Sequence, residues 1–189
     1  MSSKVVYYVK LSQLSFFWFL AICTVLMPRF LLERNEGGIS NFGVHALTVV
    51  PFSLAFTVCA ACLWQAAHLL ATKTPLAKQF RTVLLGFSIL LFLTLLSTYP
   101  YKINQSFDAI HIWMGIILFY AELGAAVWLT FKIVRNKSSY LLLFVGVIGF
   151  ALATLTLIGW LHLLFISQMV TAAAFGLLLI KAGQAIATG

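Results

Sequence analysis

Residues 140–180 contain no Asp, Glu, Lys or Arg, and an uncharged run of about 40 residues is roughly twice what one helix needs to cross some 30 Å of hydrocarbon. Gly159-Trp160 offers a tight turn near its middle, so the run reads as two membrane segments, at about 140–158 and 162–182, joined as a hairpin. Four further apolar stretches precede it, at about 13–32, 45–71, 82–98 and 109–131. The expected fold is all-α: one polytopic transmembrane bundle of six helices, with residues 1–189 forming a single domain. Composition agrees, since 62% of the residues are hydrophobic, 8% are charged and the mean hydropathy is +1.05, which excludes an ordinary water-soluble domain.

The net charge of +8 would suggest nucleic acid in a soluble chain. Here Lys and Arg lie in short links between apolar segments, where basic side chains face an anionic cytoplasmic leaflet. No nucleic-acid partner is expected; membrane lipids are, with a second copy of the chain or another membrane protein as further partners. With the N-terminus inside, Lys4, Lys10, Lys73, Lys78, Arg81, Lys132, Arg135, Lys137 and Lys181 fall on the cytoplasmic side, against Arg29, Arg34 and Lys102 outside. Glu33, Glu36 and Asp108 then share the outer side. The bias predicts that both termini are cytoplasmic (N-in/C-in).

Lys4 and Lys10 ahead of an apolar run imitate a signal peptide, but the run is long and no small-x-small cleavage site follows it. It is expected to stay as the first helix, with Pro28 and Arg29 bending and anchoring its outer end. The cysteines, Cys23, Cys59 and Cys62, all lie in apolar segments. The C-x-x-C they include lacks a second pair, so these are read as packing residues.

An acid inside a membrane helix is costly unless protonated or paired, and therefore marks function. Glu122 is such a residue, midway along the fourth segment. At 100° per residue it shares a face with His111, Gly115 and Ala125, a face of small side chains that suits the bundle interior. It is read as an intramembrane polar site, either a protonated carboxyl bonded to a neighbouring helix or a proton or cation site, the latter implying a proton-coupled transport protein.

His45, His111 and His162 each open an even-numbered segment on the expected outer side, while His68 lies near the inner end of the second. Neutral imidazole is favoured at a helix N-terminus and is the form that ligates metal, so the three suit zinc, with Asp108 one turn before His111 as a further ligand. The competing reading is interfacial hydrogen bonding, and no H-x-x-x-H or H-E-x-x-H spacing occurs. Haem b between two histidines is the other cofactor weighed. His45 and His68 cannot be its pair, standing about 35 Å apart along one helix.

Thr57, Ser53, Gln65, Thr94 and Ser97 are read as interhelical hydrogen-bonding residues, and Lys181 as a snorkelling cation at the cytoplasmic edge. Asn104-Gln105-Ser106 matches a glycosylation sequon on the outer side. Phosphate loops and Ser-His-Asp order are absent from the sequence.

In the outer loop, Ile39-Ser40-Asn41-Phe42-Gly43 resembles the I-S-D-x-G element after the first helix in the FRAG/DRAM/SFK group of six-helix membrane proteins. Asn41 replaces that element's acidic residue. The group also has a His opening its fourth helix, to which His111 would correspond. The resemblance implies a lipid-linked membrane function without a defined reaction; Glu33, Glu36, His45, Asp108 and His111, all on the expected outer side, are read as a polar cluster there. A second resemblance, to membrane hydrolases of the alkaline ceramidase and adiponectin-receptor type, implies a metal-dependent hydrolase using His45, His111 and His162. Those proteins have seven helices and two His one turn apart, whereas His162 stands alone.

Overall fold

In the computed structural model, which describes residues 2–28, 38–99 and 103–188, each expected segment is a helix. These are α1 (Ser2–Leu26), α2 (Val49–Leu69), α3 (Pro75–Thr98), α4 (Gln105–Lys132), α5 (Lys137–Leu157) and α6 (Leu164–Thr188), and a 3-10 helix spans Ile39–Val44. All six long helices are apolar and long enough to cross a bilayer, so the protein is an all-helical, multi-pass integral membrane protein.

Local chemistry sets the starts. The Thr74 side chain accepts from Ala77 N–H at 3.1 Å with Pro75 in the first turn of α3. Asn104 accepts from Phe107 N–H at 3.0 Å to cap α4, and Asn136 from Ser139 N–H at 2.9 Å to cap α5. Each cap is worth about 1 kcal/mol. Asn104, half of the sequon, thus has a structural role.

Several expected boundaries shift. α1 begins at Ser2 rather than near 13, because its early polar residues are exposed on a helix whose other face buries Val5 and Val9. It ends at Leu26, so Pro28 lies in the turn beyond the helix instead of bending it. α2 begins at Val49, which leaves His45 outside it as the extended residue closing the 3-10 helix. α3 starts at Pro75, taking in Lys78 and Arg81 ahead of its apolar stretch, and α6 runs on past Lys181 through Gly183 and Gln184 to Thr188. Hydropathy marks where a helix is greasy, and hydrogen bonding carries the helix further.

The α5–α6 turn closes at Gly159, whose φ of +82° suits a residue without Cβ. Trp160 N–H reaches back to Leu155 O at 2.9 Å and Gly159 N–H to Thr156 O at 3.0 Å, capping the freed carbonyls. At the other end of this hairpin, Lys181 Nζ donates to Ser138 Oγ at 2.8 Å, and Ser138 Oγ donates to Asn136 Oδ1 at 2.8 Å.

The helices close into a ring. The α1–α2 contact is the most extensive, followed by α5–α6 and α2–α3; α3 also meets α4, and α6 returns to α1, while α4 touches both α5 and α6. Apolar side chains gain little by leaving lipid for protein, so close approach relies on small residues. A Cβ on Gly149 of α5 would sit 2.5 Å from Thr171 Oγ1 and 3.0 Å from Ser167 O of α6. The α2–α3 contact is tied by Ser88 Oγ donating to Ala60 O at 2.8 Å. By contrast α4 and α5 meet along a thin seam, and they are the two least buried helices.

Candidate functional site

The motif expected in an outer loop is packed into the bundle. Ile39, Asn41, Phe42 and Gly43 of the 3-10 helix are all buried, while Ser40 is partly covered. Three contacts hold the segment. Ile39 N–H donates to Gln168 Oε1 of α6 at 2.7 Å, Thr48 Oγ1 donates to Phe42 O at 2.7 Å, and the Phe42 ring stands edge-on to Phe165 at 5.7 Å. Gly38 adopts φ +61° directly beside the Gln168 amide, where a Cβ would lie 2.7 Å from Oε1. Conformation and proximity both demand glycine there.

Beneath this segment a cavity of about 380 Å³ opens between α4, α5 and α6. Ser40, His111 and Gln168 form its polar end, and residues such as Ile116, Phe119, Phe150 and Leu164 its apolar wall. Its mouth faces the outside of the bundle, since the lining residues Ile112, Tyr120 and Leu157 are 50%, 59% and 59% exposed. That mouth is the thin α4–α5 seam. A second cavity of about 80 Å³ shares Ser40, His111, Gly115, Phe119 and Gln168 with the first and runs inward to Glu122. A third, of about 30 Å³, continues from Glu122 to Gln13 and Cys59.

His111 stands where α3, α4 and the cavities meet, 6% exposed. Its Nδ1 lies 3.2 Å from Ser97 Oγ and 3.5 Å from Thr98 Oγ1. Both hydroxyls donate their single proton to Thr94 O, at 2.8 and 2.9 Å. With both hydroxyl protons so directed, the Ser97 oxygen is placed to accept from a protonated Nδ1.

Glu122 lines both inner cavities, and among the described residues no hydrogen bond or ion pair is found on its carboxyl. It stands 17 residues from the start of α4, about 26 Å along the axis, and about 15 Å from the other end at Lys132. Gly115, on the same face about two turns above it, has nothing within 4 Å of where a Cβ would be.

The other expected site residues separate. His162 is exposed past the end of α5, and His45 is half-buried with its Nε2 sealed from solvent and without a hydrogen-bond partner among the described residues. Of the four histidines, His111 alone lines the cavities described above. Among the described residues no three His, Cys, Asp or Glu side chains gather closely enough to hold a metal ion. Glu33 and Glu36 lie outside the described residues. The three cysteines are buried and free. Ser97 acts within the bundle as expected, and Ser53 accepts from Tyr99 OH at 2.9 Å, whereas Thr57 and Gln65 face outward. Gln168 and Gln13 were not singled out by sequence; an uncharged amide deep in an apolar segment was the signal that could have marked them.

Compared with protein-family models, curated proteins and solved structures, the chain matches none. The geometry of the cavities therefore carries the functional argument.

Proposed function

We propose that this protein binds a lipid-like amphiphile in the cavity between α4, α5 and α6, entered sideways from the bilayer through the α4–α5 seam. One observation carries the reading: a space of about 380 Å³ has apolar and aromatic walls, a polar end at Ser40, His111 and Gln168, and a mouth lined by exposed side chains on the membrane-facing surface. That volume lies in the range of small-molecule sites, where apolar walls supply affinity and a few polar groups fix orientation. An acyl or isoprenoid segment along the wall and a polar group at the Ser40–His111–Gln168 end match it. The resemblance of residues 39–43 to the FRAG/DRAM/SFK element supports the same lipid-linked reading. The cation distribution supports cytoplasmic termini, and with that orientation the 3-10 helix and the polar end of the cavity face the outer leaflet.

The test is lipid retention. Native mass spectrometry of the protein released from a neutral detergent is expected to show a bound amphiphile in the wild type and its loss in Gly115→Trp, whose indole enters the cavity. Gly124→Trp, on the same helix at an exposed glycine with open space around it, is expected to retain the adduct. Equal retention by both variants would remove the cavity as the binding site.

A further inference from the structure

The inner end of the cavity system has a composition of its own. Around the 80 Å³ space, the Glu122 carboxyl is accompanied by the rings of Phe16, Phe56 and Phe119. Phe87 and Phe175 stand by it in the smaller space beyond. We propose that Glu122 and these phenylalanines receive an organic cation, the ammonium group of an amphiphilic amine whose apolar part fills the wider cavity between α4, α5 and α6. This rests on the amphiphile reading above and names the ligand's class.

An intramembrane carboxylate needs a counter-charge or a proton. Lys132 ends the same helix about 15 Å away along the axis, Lys10 is exposed one turn from Gln13, and Lys181 is bonded to Ser138. Among the described residues no cation reaches the carboxyl, and no neighbouring helix accepts a hydrogen bond from it. A hard metal ion wants about six oxygen ligands gathered around one point; here the other side-chain oxygens, those of Gln13, Ser40, Thr94 and Gln168, are spread over the linings of two spaces, and phenyl rings make up much of the wall. A substituted ammonium is weakly hydrated and is attracted both by a carboxylate and by aromatic faces. The two inner spaces, about 80 and 30 Å³, suit an ammonium head better than a bulky polar one. Gly115 and Phe119 line both the wider space and the 80 Å³ space, so the head and tail compartments lie against each other.

Two probes of matched size separate charge from shape: dodecyltrimethylammonium, a permanent cation, and dodecyldimethylamine N-oxide, which carries no net charge at neutral pH. Binding of each to the purified protein in a maltoside micelle is measured by calorimetric titration. The wild type is expected to prefer the ammonium probe, and Glu122→Gln to weaken that probe about tenfold or more while leaving the N-oxide unchanged. Glu122→Asp, which keeps the charge, is expected to keep the preference. Equal affinity of the two probes for the wild type, or a preference untouched by Glu122→Gln, would overturn the assignment. Should Glu122→Gln fail to fold, the wild type still decides. Dicyclohexylcarbodiimide labelling of Glu122, read by peptide mass spectrometry, is expected to be slowed more by the ammonium probe than by the N-oxide; equal slowing would also overturn it. Gly115→Trp distinguishes the two levels. If it leaves both probes bound, the cavity reading fails; if it blocks both while Glu122→Gln changes neither, the cavity stands and the cation assignment alone falls.

Discussion

The backbone N–H of Ile39 donates to the side-chain oxygen of Gln168 at 2.7 Å, joining residues 129 positions apart. Through that bond the 3-10 helix is fastened to α6 above the cavity, and Gln168 contributes to the cavity's polar end at the same time. Replacing Gln168 by Leu leaves a partly buried N–H unmet at a cost of about 1–3 kcal/mol. A lower melting temperature in detergent and faster hydrogen exchange confined to residues 38–44 are the expected results. Gln65→Leu, at an outward-facing amide, is expected to change neither. Unchanged exchange in Gln168→Leu would mean that the segment is held by its other contacts alone.

A second prediction concerns Gly43. A Cβ there would lie 2.5 Å from Thr98 Cγ2 and 2.7 Å from the Phe52 ring, both fully buried and unable to yield easily. Gly43→Ala is expected to destabilise by roughly 1–3 kcal/mol, the usual cost of overpacking. Gly86 in the interior of α3 has open space instead, so Gly86→Ala is expected to stabilise by about 0.5–1 kcal/mol through helix propensity. Opposite signs in a paired denaturation experiment check both; a shared sign contradicts the packing around the 3-10 helix.

Legibility in the sequence followed the physics each feature depends on. Six spans were readable because lipid imposes a length and an apolar composition on every crossing, and the Gly159 turn was readable because a positive φ leaves few residue choices. Glu122 and His111 stood out by type, an ionisable group being expensive in hydrocarbon wherever it sits. Residues 39–44 were read as loop because Ser40, Asn41 and Gly43 look polar or flexible in one dimension; their burial depends on Gln168, Phe165, Phe52 and Thr98, which come from other helices. The cavity was equally hidden, since an unfilled space arises from the loose α4–α5 seam and leaves no mark in composition. The three outer histidines shared a helix end by sequence, yet one end of a six-helix ring is wide enough for His111 to be buried against α3 while His162 remains exposed.

The α5–α6 hairpin offers a geometric check that needs no ligand. A Cβ on Gly146 would lie 3.5 Å from Ala174 Cβ, at the short end of the Cβ separation seen across disulfides. Gly146→Cys combined with Ala174→Cys is expected to cross-link on mild oxidation, read by peptide mass spectrometry, while the buried native Cys23, Cys59 and Cys62 stay free. Adding Gly149→Leu, which drives a side chain into Thr171 and the Ser167 carbonyl, is expected to abolish the cross-link. Its persistence would show that α5 and α6 do not approach through Gly149.

Sidedness can be read with single introduced cysteines, because the three native ones are buried and shielded from a membrane-impermeant maleimide. Lys137 begins α5 and His162 lies just beyond its end, both exposed, so about 31 Å of helix separates their planes. If the basic links face the cytoplasm, His162→Cys is labelled in intact cells, whereas Lys137→Cys and Lys78→Cys are labelled only after permeabilisation. The reverse pattern would put the polar end of the cavity at the cytoplasmic leaflet and with it any ligand headgroup bound there. Labelling of Lys137→Cys and His162→Cys from the same face would be the graver result, since a helix of that length cannot then be crossing the bilayer at all.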